Sequence, residues 1–450
     1  MHLPAPVSDL ISRLRAAGFP AYAVGGCVRD SLLGLPPHDW DLCTAASPEE
    51  MKRVFAGEQL AETGLKHGTL TVIRDHVPYE ITTFRTEGPY TDHRHPDSVS
   101  FVPDVRADLA RRDFTVNAMA YAPEEGVLDL FGGQEDLARR VIRCVGDPGE
   151  RFGEDALRIL RALRFAAVYD FSLEDETAAA VRALFPTLDR VAPERLREEL
   201  LKLLCGPAAG RMLRAFPEVF SRIIPDLSPM VGYDQRNHHH RYDLWEHTVR
   251  AVENVPPEED LRLTMLLHDT GKPAACTLDD AGEAHYRGHP RISADIAARV
   301  TEALRCSRAM QDRVTRLVLY HDIPLRTADG APAVDRRFLL RRLNQFGEAD
   351  LRALFLIHRA DRIATGSTPP EREDARLRQR MEALDALLRE KPCFTLKEMA
   401  VNGSDLTALG LRGPAVGEGL ARLLSEVMEG RLPNEREALL AFVKSDLINL

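Results

Sequence analysis

The chain has 450 residues, a formal net charge of −10, 44% hydrophobic and 28% charged residues, a composition that fits two to four globular domains and excludes collagenous, disordered and disulfide-scaffold classes. No run of about 18 apolar residues could cross a membrane. The start Met1-His2-Leu3-Pro4-Ala5-Pro6 lacks the basic region and apolar core of a secretory signal, and the seven cysteines are scattered without a Cys-x-x-Cys pair, so a cytoplasmic protein with neither zinc ribbon nor disulfide framework is expected. The acidic balance means that any nucleic-acid site must be a local basic stripe. Arginines between 139 and 202, and Arg336, Arg337, Arg341 and Arg342, are candidates, and each group equally reads as a solvated helix face.

A helix is expected over 8–18, with Ser8 as its cap and Leu10, Ile11 and Leu14 on one face. The strand Tyr22-Ala23-Val24 then runs into Gly25-Gly26, a turn that lets a helix begin against a phosphate chain with its free N–H groups facing the anion. Val28 to Gly34 reads as that short helix, ended by glycine. In His38-Asp39-Trp40-Asp41-Leu42, Asp39 and Asp41 fall on one side of a predicted strand. Two such carboxylates repel unless a divalent cation sits between them. The lysine-bearing phosphate loop of kinases and GTPases is missing here, so magnesium-dependent nucleotidyl transfer is the expected chemistry.

Strands are expected at Thr69 to Ile73 and Tyr79 to Phe84. Glu80 alternates with apolar and β-branched neighbours, as a third metal-facing carboxylate or an exposed strand glutamate. The stretch Phe84 to Asp97 is too polar and Gly/Pro-broken for a regular element. In Arg111-Arg112-Asp113-Phe114-Thr115-Val116-Asn117-Ala118-Met119, Arg112 can pair with triphosphate oxygens and Asp113 can accept from a ribose 2′-OH; alternatively the two pair with each other.

From about 150 onward the periodicity is helical. Glu154-Asp155-Ala156-Leu157-Arg158 places a carboxylate acceptor and a guanidinium donor three residues apart on one helix face. Cytosine (N4, N3) and adenine (N6, N1) show an amino donor beside a ring acceptor, so one Asp/Arg pair suits both; uracil and guanine show the reverse and would leave both groups unmatched. A plain surface salt bridge has the same spacing.

The segment 22–42 and the motifs at 111–119 and 154–158 resemble the class II CCA-adding enzyme and bacterial poly(A) polymerase family. The resemblance implies a fold class of α/β polymerase β-like nucleotidyltransferase head, all-α neck, HD-type helical body and helical tail, with boundaries at 1–145, 146–215, 216–375 and 376–450. It implies two Mg²⁺ on Asp39 and Asp41 with Glu80 nearby, and nucleotide contacts from Gly25, Gly26, Arg29, Arg112, Asp113, Asn117, Asp155, Arg158, Arg161 and Arg164. Residues 84–97 resemble the loop that in such enzymes helps the site switch from CTP to ATP. The expected partners are CTP, ATP and the acceptor arm and 3′ end of tRNA, for a monomer or homodimer with no membrane contact.

His247, His268-Asp269, His289, His321 and Asp361, in their sequence contexts, resemble HD-domain metal-dependent phosphohydrolases. That resemblance implies a transition metal or Mg²⁺ on His247, His268, Asp269 and Asp361, with His289 and His321 serving a second metal or the phosphate. Asn237-His238-His239-His240 reads as loop surface or substrate contact. The stretches 397–410, 413–417 and 432–434 resemble the RNA-binding tail of HD-containing CCA-adding enzymes, although their glycines are equally ordinary helix caps. The competing readings are a poly(A) polymerase or a partial CC- or A-adding enzyme of the same fold, an HD phosphohydrolase whose first half positions RNA ends, and a non-catalytic RNA-binding protein.

Overall fold

The computed structural model describes residues 1–88, 98–237, 240–325 and 334–447. The chain divides into two compact units, residues 1–228 with 302–306, and residues 229–301 with 307–450. No helix among the described residues is long and apolar enough to cross a membrane.

The first unit is built on a seven-stranded mixed sheet. Its strands are β1 (Ala21–Val24), β2 (Leu42–Thr44), β3 (Gln59–Ala61), β4 (Thr69–Arg74) and β5 (Val77–Thr83), with β6 (Arg85–Glu87) and β7 (Val99–Phe101) forming a separate ribbon before β8 (Met119–Ala122) and β9 (Gly126–Asp129). The sheet order is β3-β4-β5-β2-β1-β8-β9, with β2 and β5 parallel. All four residues of β1 are buried. Tyr22, Val24, Cys43, Phe84, Leu109, Ala120 and Ala122 form one apolar cluster beneath it, which fixes the strand ends where the glycine turn and the aspartates lie. Beyond Asp147 this unit is nearly all helical, apart from the two-residue pairing of Val141–Ile142 with Ser172–Leu173.

Three local expectations are corrected. The first helix is Ala5–Ala16, with Pro4 before it, Pro6 in its first turn and Ser8 inside it, because proline fits the first turn, where no N–H partner is required. The helix after the glycine turn is Gly26–Leu32, two residues earlier than expected. The polar stretch after Phe84 does hold a regular element, since Arg85, Thr86 and Glu87 pair with Phe101, Ser100 and Val99; residues 89–97 of that stretch lie outside the described residues.

The second unit is helical. Its longest helix, Arg336–Ala364, is interrupted at Gly347, which adopts φ 74°. The helices Leu244–Asn254, Glu259–Leu267, His289–Ala303 and Arg308–Leu319 accompany it. In the tail, Asn402 makes a capping box with Asp405 at the start of the helix Gly403–Ala408.

Candidate active site and candidate metal centre

Val24 donates to the Asp41 carbonyl at 3.0 Å and Gly25 to the Met119 carbonyl at 3.1 Å, so β1 ends between the aspartates and the 111–119 segment. Gly25 then turns with φ 81°, and a Cβ built there would lie 2.8 Å from Nη1 of Arg112. The backbone angle favours glycine, and the guanidinium would have to move to admit a Cβ. Gly25→Ala should therefore displace Arg112 and raise the KM for nucleotide about tenfold or more, the scale of one disturbed charge-assisted contact; steady-state kinetics at saturating RNA substrate measures it.

Asp39 and Asp41 do not lie on a strand as expected. Both precede β2, which starts at Leu42, and both are exposed. Glu80 does sit on β5, paired in register with Thr71, and is exposed. The Asp41 carboxyl is pushed up to about 6 by desolvation, by the charge of Asp39 and further by Glu80, with Arg112 opposing. Mutual repulsion among three carboxylates is the electrostatic signature of a cation site, and the donor set, all carboxylate, suits magnesium.

The arginines and aspartates around this turn are more tied down than the sequence suggested. Arg29 is 6% exposed. It donates to Asp30 at 2.9 and 3.0 Å, to Asn117 Oδ1 at 2.5 Å and to the Tyr169 hydroxyl at 2.5 Å. Arg112 contacts Asp108 at 3.4 Å. Asp113 pairs with Arg161 rather than with Arg112, at 2.6 and 2.9 Å, and accepts from Asn117 Nδ2 at 3.2 Å. Burial opposes its ionisation, yet the Arg161 charge and these hydrogen bonds hold its carboxyl down at about 2.

Asp155 and Arg158 do not share a helix face. Asp155 is extended and precedes the helix Leu157–Tyr169, whose amide at Leu157 it caps at 3.0 Å. Its carboxylate takes Arg195 at 2.7 Å, while Arg158 bonds Glu154 and donates to the Arg151 carbonyl at 3.1 Å. The two groups still flank one helix start. Arg164 donates to Glu199 at 2.5 Å and stacks 3.8 Å over Phe165. Arg195 stands out in the sequence only as part of a candidate basic stripe, and Glu199 and Tyr169 not at all, because their partners are 30 or more residues away and carry no local spacing signal.

In the second unit, His247, His268, Asp269 and Asp361 bring ligand atoms within 4.8 Å of one another, and Asp269, His289 and His321 do the same. Asp269 joins the two groups. Its Oδ2 lies 3.3 and 3.2 Å from Nε2 of His247 and His268, and its Oδ1 lies 3.1 and 3.6 Å from Nε2 of His289 and His321. His268, His289 and His321 each donate Nδ1–H to a backbone carbonyl, of Met265, Tyr286 and Val318, at 2.7 to 2.8 Å. That bond fixes the tautomer and aims the Nε2 lone pair inward. Lone pairs and carboxylates converging in a buried space fit divalent metal.

Burial opposes protonation of His268, but Asp269 and Asp361 outweigh it and raise its pKa to about 10; both carboxyls are held well below their ordinary range, with His268 among the causes. Lys272, buried, reaches Asp269 at 2.7 Å and Gln235 at 3.1 Å. A cavity of about 620 Å³ opens over the cluster, lined among others by His240, Tyr286, Arg287, Asp322 and Arg362. His240 thus lies at this cavity, whereas His238 and His239 lie outside the described residues.

The chain has clear relatives among known proteins. The family model described as "Poly A polymerase head domain" matches residues 21–143, and that for "tRNA nucleotidyltransferase domain 2" matches residues 291–443. The CCA-adding enzyme of Limosilactobacillus fermentum is 34% identical over 437 residues, 97% of this chain and 95% of the relative. That of Enterococcus faecalis is 33% identical over 444 residues, with the same coverage. The crystal structure of the Bacillus stearothermophilus CCA-adding enzyme in complex with CTP superposes with TM-score 0.73 at 29% identity, covering 98% of this chain and 97% of that one. The Thermotoga maritima CCA-adding enzyme complexed with tRNA shares the fold, with TM-score 0.59 at 22% identity over 98% and 95% of the two chains. With such identity to curated relatives along nearly its whole length, the chain belongs to the family of CCA-adding enzymes, the tRNA nucleotidyltransferases.

Proposed function

We propose that the first unit holds one nucleotide between the Gly25-Gly26 turn and the Asp155/Arg158 helix start, and uses it for the activity of its family. That activity is the addition of C, C and A to the 3′ end of tRNA from CTP and ATP, without a nucleic-acid template and with release of pyrophosphate. The carrying observation is a direct tie between the base-reading helix and the triphosphate segment: Arg158 donates to the Arg111 carbonyl at 3.4 Å, and Arg161 grips Asp113.

In this reading Gly25, Gly26 and Arg112 take the triphosphate, and Arg29 orients the turn. Asp39, Asp41 and Glu80 hold magnesium, which when bound lowers the pKa of the tRNA 3′-OH and neutralises the triphosphate. Asp155 accepts from the amino group of cytosine or adenine and Arg158 donates to the adjacent ring nitrogen, once Arg158 releases Glu154. Arg195 keeps Asp155 in place meanwhile. Asp113 reads the ribose by exchanging its Asn117 contact, and Arg161 and Arg164 hold the helix. The division into head, neck, body and tail at 145, 215 and 375 follows the same reading, with the tail on tRNA and the enzyme cytoplasmic as monomer or homodimer.

Extension of a tRNA lacking its last three nucleotides tests this. Two additions with CTP, three with CTP and ATP, and only slow misincorporation with UTP are expected at single-nucleotide resolution; a long ladder with ATP alone would make it a poly(A) polymerase. Asp155→Asn should lower kcat/KM for CTP by about 10- to 100-fold, the worth of one charge-assisted hydrogen bond.

A second reading rests on the three carbonyl-bound imidazoles. Here the second unit carries a phosphohydrolase site whose two ligand groups share Asp269; divalent metal held there would supply polarisation of a phosphoryl oxygen and acidification of a water. His247, His268 and Asp361 complete one metal position, His289 and His321 the other. Lys272 holds the bridging carboxylate, and Arg287 at the cavity wall takes a substrate oxygen.

A further inference from the structure

The base-reading and phosphate-binding groups sit on different elements, so a nucleotide is held well only if the spacing between those elements is fixed. The helix Leu157–Tyr169 has Arg158 in its first turn and Tyr169 as its last residue, and its 13 residues make a rod of about 20 Å. The helix Gly26–Leu32 starts at the glycine turn and carries Arg29 and Asp30. At the far end of the rod, the Tyr169 hydroxyl accepts from Arg29 Nη2 at 2.5 Å and donates to Asp30 Oδ1 at 3.0 Å. We propose that Tyr169 is a positioning residue whose hydroxyl, by holding Arg29 and Asp30, sets the register between the base-reading helix and the phosphate turn and so sharpens base selection.

The ring and the hydroxyl have separable tasks. The ring stacks on Phe165 at 6.1 Å and 20°, and lies 6.0 Å from Phe171. The Arg29 guanidinium lies 4.5 Å from the Tyr169 ring centroid and 5.2 Å from that of Phe165. Packing therefore places the ring whether or not the hydroxyl is present. Of this side chain, only the hydroxyl makes directional hydrogen bonds to Arg29 and Asp30, which already pair with each other on the neighbouring helix. Arg29 passes the constraint on through Asn117, which donates to Asp113, so the tie reaches the triphosphate segment as well as the turn.

A loosened register harms a cognate base more than a wrong one. Cytosine makes two directional hydrogen bonds to Asp155 and Arg158, whose strength depends on alignment with the seated triphosphate. Uracil makes neither, so it has no such bonds to lose. This inference rests on the nucleotide-site reading above. Arg161 with Asp113 remains as a second tie, which limits the expected loss.

The test is Tyr169→Phe in the full chain, with kcat/KM for CTP and for UTP measured on the shortened tRNA. The expected result is a fall of about fivefold for CTP, with UTP unchanged, so that the CTP/UTP ratio drops by the same factor. A merely structural defect lowers the active fraction and moves both values together, leaving the ratio intact; that outcome overturns the proposal, as does an unchanged ratio in a fully active variant. Asp30→Asn closes the cycle: if Tyr169 acts through Asp30 and Arg29, the double variant loses no more selectivity than the worse single one, and independent multiplying losses count against the mechanism. Failure of the nucleotide-site reading is distinguishable, because the wild-type enzyme would then show no preference for CTP over UTP.

Discussion

Asp39→Ala and Asp41→Ala should each reduce tRNA extension by about 10³-fold or more, the scale of several kcal/mol of lost charge stabilisation in phosphoryl transfer. Near-wild-type extension by either variant would refute the assignment of these carboxylates. Neither aspartate packs in the core, so the folded state should survive, as circular dichroism can check. The pH dependence follows from the raised Asp41 pKa. With the free carboxyl titrating near 6, protons and magnesium compete for it, and activity at limiting magnesium falls as pH drops through 6. Excess magnesium moves that acid limb to lower pH. The stability effect has a definite sign. The folded protein holds this proton more tightly than the unfolded chain, so Asp41 favours folding most below its ordinary pKa, and that contribution is lost as pH rises through about 6. Asp41→Asn removes the repulsion, and should melt slightly higher than wild type at pH 7.5 without magnesium while being inactive.

Manganese added to metal-free protein at pH 8 should raise the melting temperature by several degrees, since saturation at about 100 times Kd is worth about 2.7 kcal/mol. His268→Ala and Asp269→Ala should remove the second unit's share of that shift while leaving CCA addition intact, because the nucleotide site is built entirely within the other unit. If a folded variant loses CCA addition along with the shift, the two-site reading is wrong. Without metal, the pKa of His268 near 10 means that its imidazole carries a proton at neutral pH. That proton must leave when its Nε2 becomes a ligand. Metal affinity should therefore rise about tenfold per pH unit between roughly pH 6 and 9, with about one proton released per protein. Titration calorimetry in two buffers of different ionisation enthalpy reads the proton count, and a pH-independent affinity would exclude His268 as a ligand. In the metal-free protein the stabilising charge pair of His268 with Asp269 and Asp361 is present below the ordinary histidine pKa and is lost as pH rises through about 10.

Local chemistry was legible in the sequence wherever it depends on neighbours along the chain. The Gly25-Gly26 turn, the sheet positions of β1, β4 and β5, the strand position of Glu80 and the helical character beyond residue 150 all follow from short-range periodicity and backbone freedom. The histidine contexts singled out the candidate ligands of the second unit, and the structure gathers them into two groups that could hold metal. Pairing was not legible in this way. Asp155 and Arg158, three apart, turn to Arg195 and Glu154 because the helix is interrupted before Leu157, which takes Asp155 off it. Asp113 goes to Arg161 across 48 residues, and Arg29 to Tyr169 across 140. A sequence determines which side chains can donate, accept or bind metal and how its short segments bend. Which donor meets which acceptor is decided only when burial of the apolar faces brings distant segments together and leaves each desolvated charge to find a partner.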